Sequence, residues 1–485
     1  MGVVLAIFGI AGLIWGLVLV RRGGLLSLCL AELLVAACLG YQFFHLAASP
    51  MPITADRVLM VALCGVYGIY RLMGWADPKP LDGADLATLL FVAVLTLNTF
   101  AHDWTYNQRQ PLSDLVFYCY QPLVLYWVAR QSALGERELR LFRAVLACLG
   151  LYLAFTALAE MHDVRSLIFP KYIVATSATE WLGRARGPFL SPPTNGLFLG
   201  TSLAVWTMYC AGANRLVRLP VLGGMGTILV GVYYTLTRAC WMGSLLGVWV
   251  VLFFVLPRRW RLSFAACSLL LTAVALPLAS RGLVAFKREK YLSAEETARS
   301  ASLRPIIAAV EWRIFLDHPL FGCGYGNYPK VSKAYLRDPE SELPLERARG
   351  FVHHNMFLAV LTDTGLTGLA SYLAMLGWWS LHAWRLWSDS RLSMAARQHG
   401  LFWFAYLANF VTLGMFHNVN ADLSIAQLTF LSAGIVQGSF AAARRSLAPR
   451  LVDAAVPARG IAEWLGRQAH AGTGLEPGPR LANPA

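Results

Sequence analysis

Charge is what this chain has least of. Only 14% of its 485 residues are charged, against roughly a quarter in ordinary soluble domains. That scarcity excludes one large solvated globule. The acids are thinnest inside the apolar runs. Glu32 and Glu160 fall near the ends of such runs, and Asp363 falls a few helical turns into one. A proton-coupled carrier usually carries more. There is no Asp-x-Asp metal pair, no Walker phosphate loop and no His-Glu-x-x-His, so the motifs give metal or nucleotide chemistry no support. The nine cysteines show no paired metal spacing. Most lie within apolar runs, where a thiol behaves as a small hydrophobe. Only Cys323 falls in the long polar stretch, which therefore cannot close a disulfide on itself.

Apolar residues make up 57% of the chain, and runs of membrane-spanning length recur along it. The expectation is an all-α, polytopic integral membrane protein with about 12–13 transmembrane helices and one large external loop containing short helices. The spans fall near 3–20, 25–47, 57–74, 86–101, 114–129, 141–160, 195–212, 219–236, 239–256, 262–279, 355–381, 400–416 and 424–442. The first run lacks a basic leader and is followed by Arg21 and Arg22, so it reads as an anchor starting outside rather than a cleaved signal.

The net charge of +14 could point to nucleic acid. The basic residues instead gather in alternate short loops, as the positive-inside rule expects. Arg21 and Arg22; Arg71 and Lys79; Arg130, Arg137 and Arg140; Arg215 and Arg218; Arg258, Arg259 and Arg261; Arg385, Arg391 and Arg397; and Arg444, Arg445 and Arg450 form one cytoplasmic set. The partners implied are a bilayer and no nucleic acid. Residues 1–279 then carry the N-terminal membrane helices with an external loop at 161–194. Residues 280–353 form a large external loop, 354–443 the C-terminal membrane helices, and 444–485 a tail whose composition predicts disorder. Loops beyond roughly 60 residues are largely exempt from the charge rule, so the basic 280–353 stretch fits outside.

Within that loop Ser293-Ala-Glu-Glu296 has capping-box spacing. Leu303, Ile306, Ile307, Val310 and Ile314 recur at helical spacing, which predicts a second, amphipathic helix over 303–316 with Pro305 in its first turn. Such a helix can lie on the membrane or pack against its own loop.

Four groups of candidate residues fall on the external side. Arg184 and Arg186 lie in the 161–194 loop, Arg238 between two apolar runs, Arg304 on the amphipathic helix, and His353 and His354 at the end of the large loop. An arginine at the bilayer edge is costly unless it is paired, faces water or snorkels to the headgroups. Its planar fork also matches phosphate oxygens bidentately. A histidine, with an ordinary pKa of about 6.5, suits general-base work, and it equally serves as an interfacial residue. His354 is the stronger candidate and His353 is expected at the loop edge. Asn355 suits a helix cap, Gly365 and Gly368 suit close helix packing, and Gly322-x-Gly324-x-Gly326 suits a turn after Pro319 more than a phosphate cradle. His417-Asn418 is a second external His-Asn pair, read as interfacial.

The order of these motifs resembles the O-antigen ligase and polymerase superfamily of bacterial envelope polysaccharide enzymes. Its ligase signature is His-Asn, nine residues, then Gly-x-x-Gly, and His354-Asn355, Met356 to Thr364, and Gly365-Leu-Thr-Gly368 match it. Trp312 to Tyr328 resembles the segment preceding that histidine, Thr235-Leu-Thr-Arg238-Ala-Cys-Trp241 a Thr-x-Ser-Arg-x-x-Trp run, and Arg184-Ala-Arg-Gly187-Pro-Phe189 an Arg-x-x-Gly-x-Phe stretch. Pro192-Pro193 replaces the expected Pro-Asn, which leaves either Arg184 or Arg186 as the matching arginine.

The resemblance implies a metal-independent, cofactor-free glycosyltransferase of the bacterial inner membrane, with its site facing the periplasm. It implies an undecaprenyl-pyrophosphate-linked glycan as donor and a glycan or lipid A–core hydroxyl as acceptor. His354 would be catalytic, and Arg184, Arg186, Arg238, Arg304, His353 and Asn355 would bind substrate. The alternatives are a polymerase of the same superfamily and, from another class, a polysaccharide or lipid transporter.

Overall fold

The computed structural model describes residues 24–46, 52–175, 181–285, 294–337 and 343–446, with backbone alone at 276–285 and 294–301. The described chain is helical almost throughout. Its only sheet among these residues is a two-residue antiparallel pair, β1 (His45–Leu46) and β2 (Ile53–Thr54), with His45 opposite Thr54. The helices are α1 (Gly24–Cys38), α2 (Ala55–Leu72), α3 (Gly83–Ala101), α4 (Tyr106–Leu115), α5 (Gln121–Arg130), α6 (Glu136–Met161), α7 (Pro192–Gly212), α8 (Arg215–Tyr234), α9 (Arg238–Val255), α10 (Arg258–Ala285), α11 (Ala294–Asp317), α12 (Tyr328–Val331), α13 (Met356–Ser388), α14 (Met394–Gly414) and α15 (Leu423–Ser446). The chain is thus an all-α polytopic membrane protein. Among the described residues, six helices (α3, α6, α8, α9, α13 and α15) are long and apolar enough to cross a membrane. The described residues up to Ser439 form one compact unit, and those from Phe440 belong to a second.

Most expected spans from residue 25 onward coincide with a helix; that at 25–47 is helical only to Cys38, that at 114–129 is divided among α4, a π-helical turn (Val116–Tyr120) and α5, and the run at 3–20 lies outside the described residues. Helix starts follow local chemistry. The Asp82 carboxylate accepts from the backbone N–H groups of Ala84 and Asp85, and the Asp85 carboxylate accepts from that of Asp82, a reciprocal cap. Ser191 precedes Pro192-Pro193, which open α7, where their missing donors cost nothing.

Burial separates inner helices from outer ones. The apolar window of α15 is 89% buried, whereas that of α8 is 22% buried and turns Leu216, Leu219, Leu222 and Leu229 outward. Helices α7, α9 and α14 approach closely through small residues. A Cβ on Gly196 would meet Cys240, and one on Gly243 would meet Asn409, whose amide donates to the Leu197 carbonyl at 3.0 Å.

Two local expectations need correction. The two predicted loop helices are one continuous α11, with Pro305 in its interior rather than its first turn. Of the two placements expected for its apolar face, the structure shows packing against its own loop. Ile306, Ile307, Val310 and Ile314 are buried against Cys323, Tyr328, Leu336, Leu345 and Ala348 of the same loop. Lys79 and Arg130, counted above as short-loop charges, are buried: Lys79 donates to the Arg130 and Ser132 carbonyls at 2.8 and 2.7 Å, and Arg130 pairs with Asp85, both side chains fully enclosed.

Candidate active site

The site is organised by a break in α13. Gly365 has φ 65° and ψ −162°, a conformation effectively reserved for glycine, and the helix is interrupted there. The loop after α11 runs into the break and satisfies the backbone groups it exposes. Cys323 and Gly324 donate to the carbonyls of Thr362 and Asp363 at 2.9 and 3.0 Å. Leu366 and Thr367 donate to those of Pro319 and Leu320 at 2.9 and 3.2 Å. The approach leaves no room for side chains. A Cβ on Gly322 would lie 2.3 Å from the Asp363 carbonyl carbon, and one on Gly365 2.4 Å from that of Leu320. The Gly-x-Gly-x-Gly turn and the first glycine of the signature are therefore the two sides of one joint between helix and loop.

Beside this joint the adjacent histidines take opposite environments. His353 is buried at 8% exposure. Its Nδ1 meets Glu311 of α11 at 2.6 Å, its Nε2 meets Asp363 of α13 at 3.1 Å, and its ring packs on Tyr328 with centroids 4.1 Å apart. Burial alone would lower its pKa; the Asp363 and Glu311 carboxylates overcome that and raise it to about 10. His353 is thus a locked imidazolium. This corrects the expectation that it sits at the loop edge: the side chain is buried, with carboxylates at both ring nitrogens.

His354 is half-buried. Its Nδ1 lies 2.7 Å from the Val352 carbonyl. A carbonyl only accepts, so in the neutral ring Nδ1 carries the proton and Nε2 carries the lone pair. That tautomer suits a base acting through Nε2.

The arginines divide as well. Arg184 lies in a buried notch, donating from Nε to the Thr235 carbonyl at 3.0 Å and from a terminal nitrogen to the Thr237 hydroxyl, 4.7 Å over the Trp181 ring. Arg186, two residues on, donates to the Ile173 carbonyl at 2.7 Å, and its backbone N–H is held by Glu160 at 2.8 Å. Burial, partly offset by Glu160, pushes its guanidinium below the usual value. Arg304 lies 5.7 Å over Phe416. Burial first, and the nearby Arg238 charge second, push Arg304 down; a guanidinium stays charged at neutral pH all the same. Arg238, half-buried at the first position of α9, is therefore close enough for the two cations to oppose one another. Asn355 caps α13, accepting from Phe357 and Leu358 at 2.9 and 3.0 Å and donating to the Met415 carbonyl at 3.2 Å. Its amide is committed to structure.

Arg184, Arg304, His353 and His354 line one cavity of about 660 Å³. Arg186, Arg238 and Asn355 are not among its lining residues. The geometry thus separates Arg184, which faces the cavity, from Arg186, which braces its loop. The cavity also takes in residues with little signal in the sequence: Asp114 and Tyr118 from the α4–α5 region, Tyr372 of α13, and Asn418, Asn420 and Asp422 before α15. His417-Asn418, read as interfacial, lines this cavity. Among the described residues no group of three or more His, Cys, Asp or Glu side chains is arranged to hold a metal ion.

With this geometry in view, residues 223–373 match the family described as O-antigen ligase. The match supports the O-antigen ligase superfamily and, with it, a ligase- or polymerase-type membrane enzyme. It covers Arg238, Arg304, both histidines and the Gly365 joint, and leaves Arg184 and Arg186 outside. A search of curated proteins returned no match.

Proposed function

We propose that this ligase-type protein transfers a glycan from an undecaprenyl-pyrophosphate donor to a sugar hydroxyl at the periplasmic face of the bacterial inner membrane. The observation that carries the proposal is the single cavity in which His354 and two arginines from distant segments meet. His354 takes the proton of the acceptor hydroxyl on Nε2. The freed oxygen attacks the anomeric carbon, and the bond from that carbon to the pyrophosphate oxygen breaks. Undecaprenyl pyrophosphate leaves with the bonding electron pair. Arg184 and Arg304, with Arg238 behind Arg304, oppose the charge that grows on the leaving group; such fixed charges act where charge develops in the transition state. The donor is already activated, so no nucleotide is needed, and the arginines supply the charge that a metal would otherwise provide.

The test is reconstituted glycan transfer by His354→Ala. Transfer should be lost while the thermal midpoint stays near wild type. Near-normal transfer by that variant would sink the assignment. Product analysis separates the two members of the superfamily: a ligase modifies lipid A–core, whereas a polymerase lengthens the lipid-linked glycan. Movement of an intact lipid-linked glycan with no new glycosidic bond would identify a carrier instead.

A further inference from the structure

The cavity is lined by side chains of both charge signs. Its cationic residues, Arg184 and Arg304, are accounted for by a pyrophosphate on the reading above. A second set of residues remains. Asp114 and Asp422 both line the cavity and both lie close enough to Tyr118 for their charges to act on its hydroxyl. Asp422 accepts from the Thr194 hydroxyl at 2.5 Å and from the Ile425 N–H at 3.0 Å. In the same segment the Asn420 Oδ1 accepts from the Tyr372 hydroxyl at 3.0 Å. Its Nδ2 and the Asn418 Oδ1 are buried with no hydrogen-bond partner among the described residues. A buried amide left unmatched is costly, so two within one cavity-lining hexapeptide mark a surface built for polar ligand atoms.

The chemistry present is that of a polyol site. Carboxylates accept from hydroxyls, amides both donate and accept, and the half-buried Tyr118 adds an aromatic ring to the cavity lining. Carboxylates repel a pyrophosphate, which leaves the arginines as its seat and the polar segment free for uncharged hydroxyls. We propose that Asn418, Asn420 and Asp422, with Asp114 in the same cavity, form a sugar subsite that holds a pyranose by its hydroxyls. The proposal rests on the glycosyl-transfer reading and adds its recognition element. The pyranose can belong to the donor, as the sugar next to the pyrophosphate, or to the acceptor.

The experiment compares wild type with the double variant Asn418→Ala and Asn420→Asp. Aspartate keeps an acceptor for Tyr372 while removing the unmatched donor. Binding to the full-length protein in nanodiscs is measured for three probes: undecaprenyl pyrophosphate, the lipid-linked glycan extracted from a strain lacking this protein, and the lipid A–core of that strain, which bears core sugars and lacks the transferred glycan. The subsite predicts at least tenfold weaker binding of one sugar-bearing probe, with the sugar-free carrier within twofold of wild type. A loss on the lipid-linked glycan assigns the site to the donor, and a loss on the lipid A–core assigns it to the acceptor. Wild-type affinity for both sugar-bearing probes overturns the subsite, and so does equal weakening of all three. Failure of the wild-type protein to bind the sugar-free carrier overturns the transfer reading itself, and the subsite with it.

Discussion

Gly365→Ala is the sharpest structural test, because the same helix supplies its control. At Gly365 the backbone has positive φ and the position of a Cβ lies 2.4 Å from the Leu320 carbonyl carbon and oxygen. The neighbouring atoms are backbone, so no flexible side chain can swing aside. The unfavourable backbone region alone costs about 1–3 kcal/mol. If the loop withdraws to relieve the overlap, the four hydrogen bonds across the break are lost as well, at about 1 kcal/mol each. Gly377 lies in the same helix with open space where its Cβ would be. There alanine gains helix propensity, worth about 0.5–1 kcal/mol. The two substitutions are chemically identical and should have opposite signs. Thermal unfolding of the purified protein, followed by loss of monodisperse material, should show a midpoint several degrees lower for Gly365→Ala and an unchanged or higher one for Gly377→Ala. Equal midpoints for both variants would refute the joint between loop and helix.

Three further outcomes follow from geometry. His353 is raised to about 10 against an ordinary 6.5, so the stability from its protonation is fully present below about pH 6.5 and is lost as pH rises through about 10; thermal midpoints should fall over that window in wild type and vary less in His353→Gln, and a flat wild-type profile would remove the locked imidazolium. Arg238→Lys keeps the charge but loses the planar fork, so transfer should drop at least tenfold without loss of fold, whereas wild-type transfer would make Arg238 a snorkelling residue only. Asp85→Ala leaves the enclosed Arg130 without its carboxylate and should cost about 3–5 kcal/mol, read as collapse of folded yield; a normal yield and midpoint would show that the pair matters little.

The membrane helices were legible in the sequence because each is a local property, a long apolar run punctuated by caps and loop charges. The burial of α11 against its own loop was half legible: the period of Ile306, Ile307, Val310 and Ile314 marked the face and said nothing of its cover. The choice between Arg184 and Arg186 was not legible, and for the histidines the preference for His354 came without the buried, carboxylate-bound setting of His353, because neighbouring residues are separated only by where the backbone turns them. Asp363 was visible as an acid inside an apolar run, yet its partnership with His353 depends on the break at Gly365. The amides of Asn418 and Asn420 carried no signal beyond a His-Asn pair; their meaning comes from the cavity they share with residues some three hundred positions away.

The carboxylate–imidazolium–carboxylate clasp has one more consequence. Glu311 lies two turns along α11 from Arg304, and His353 immediately precedes His354. The clasp therefore couples the placement of an arginine on one segment to the placement of a histidine on another. On the proposed function these are the phosphate clamp and the base, and they are assembled as a coincidence gate. Loss of either carboxylate therefore loosens both groups together rather than one alone.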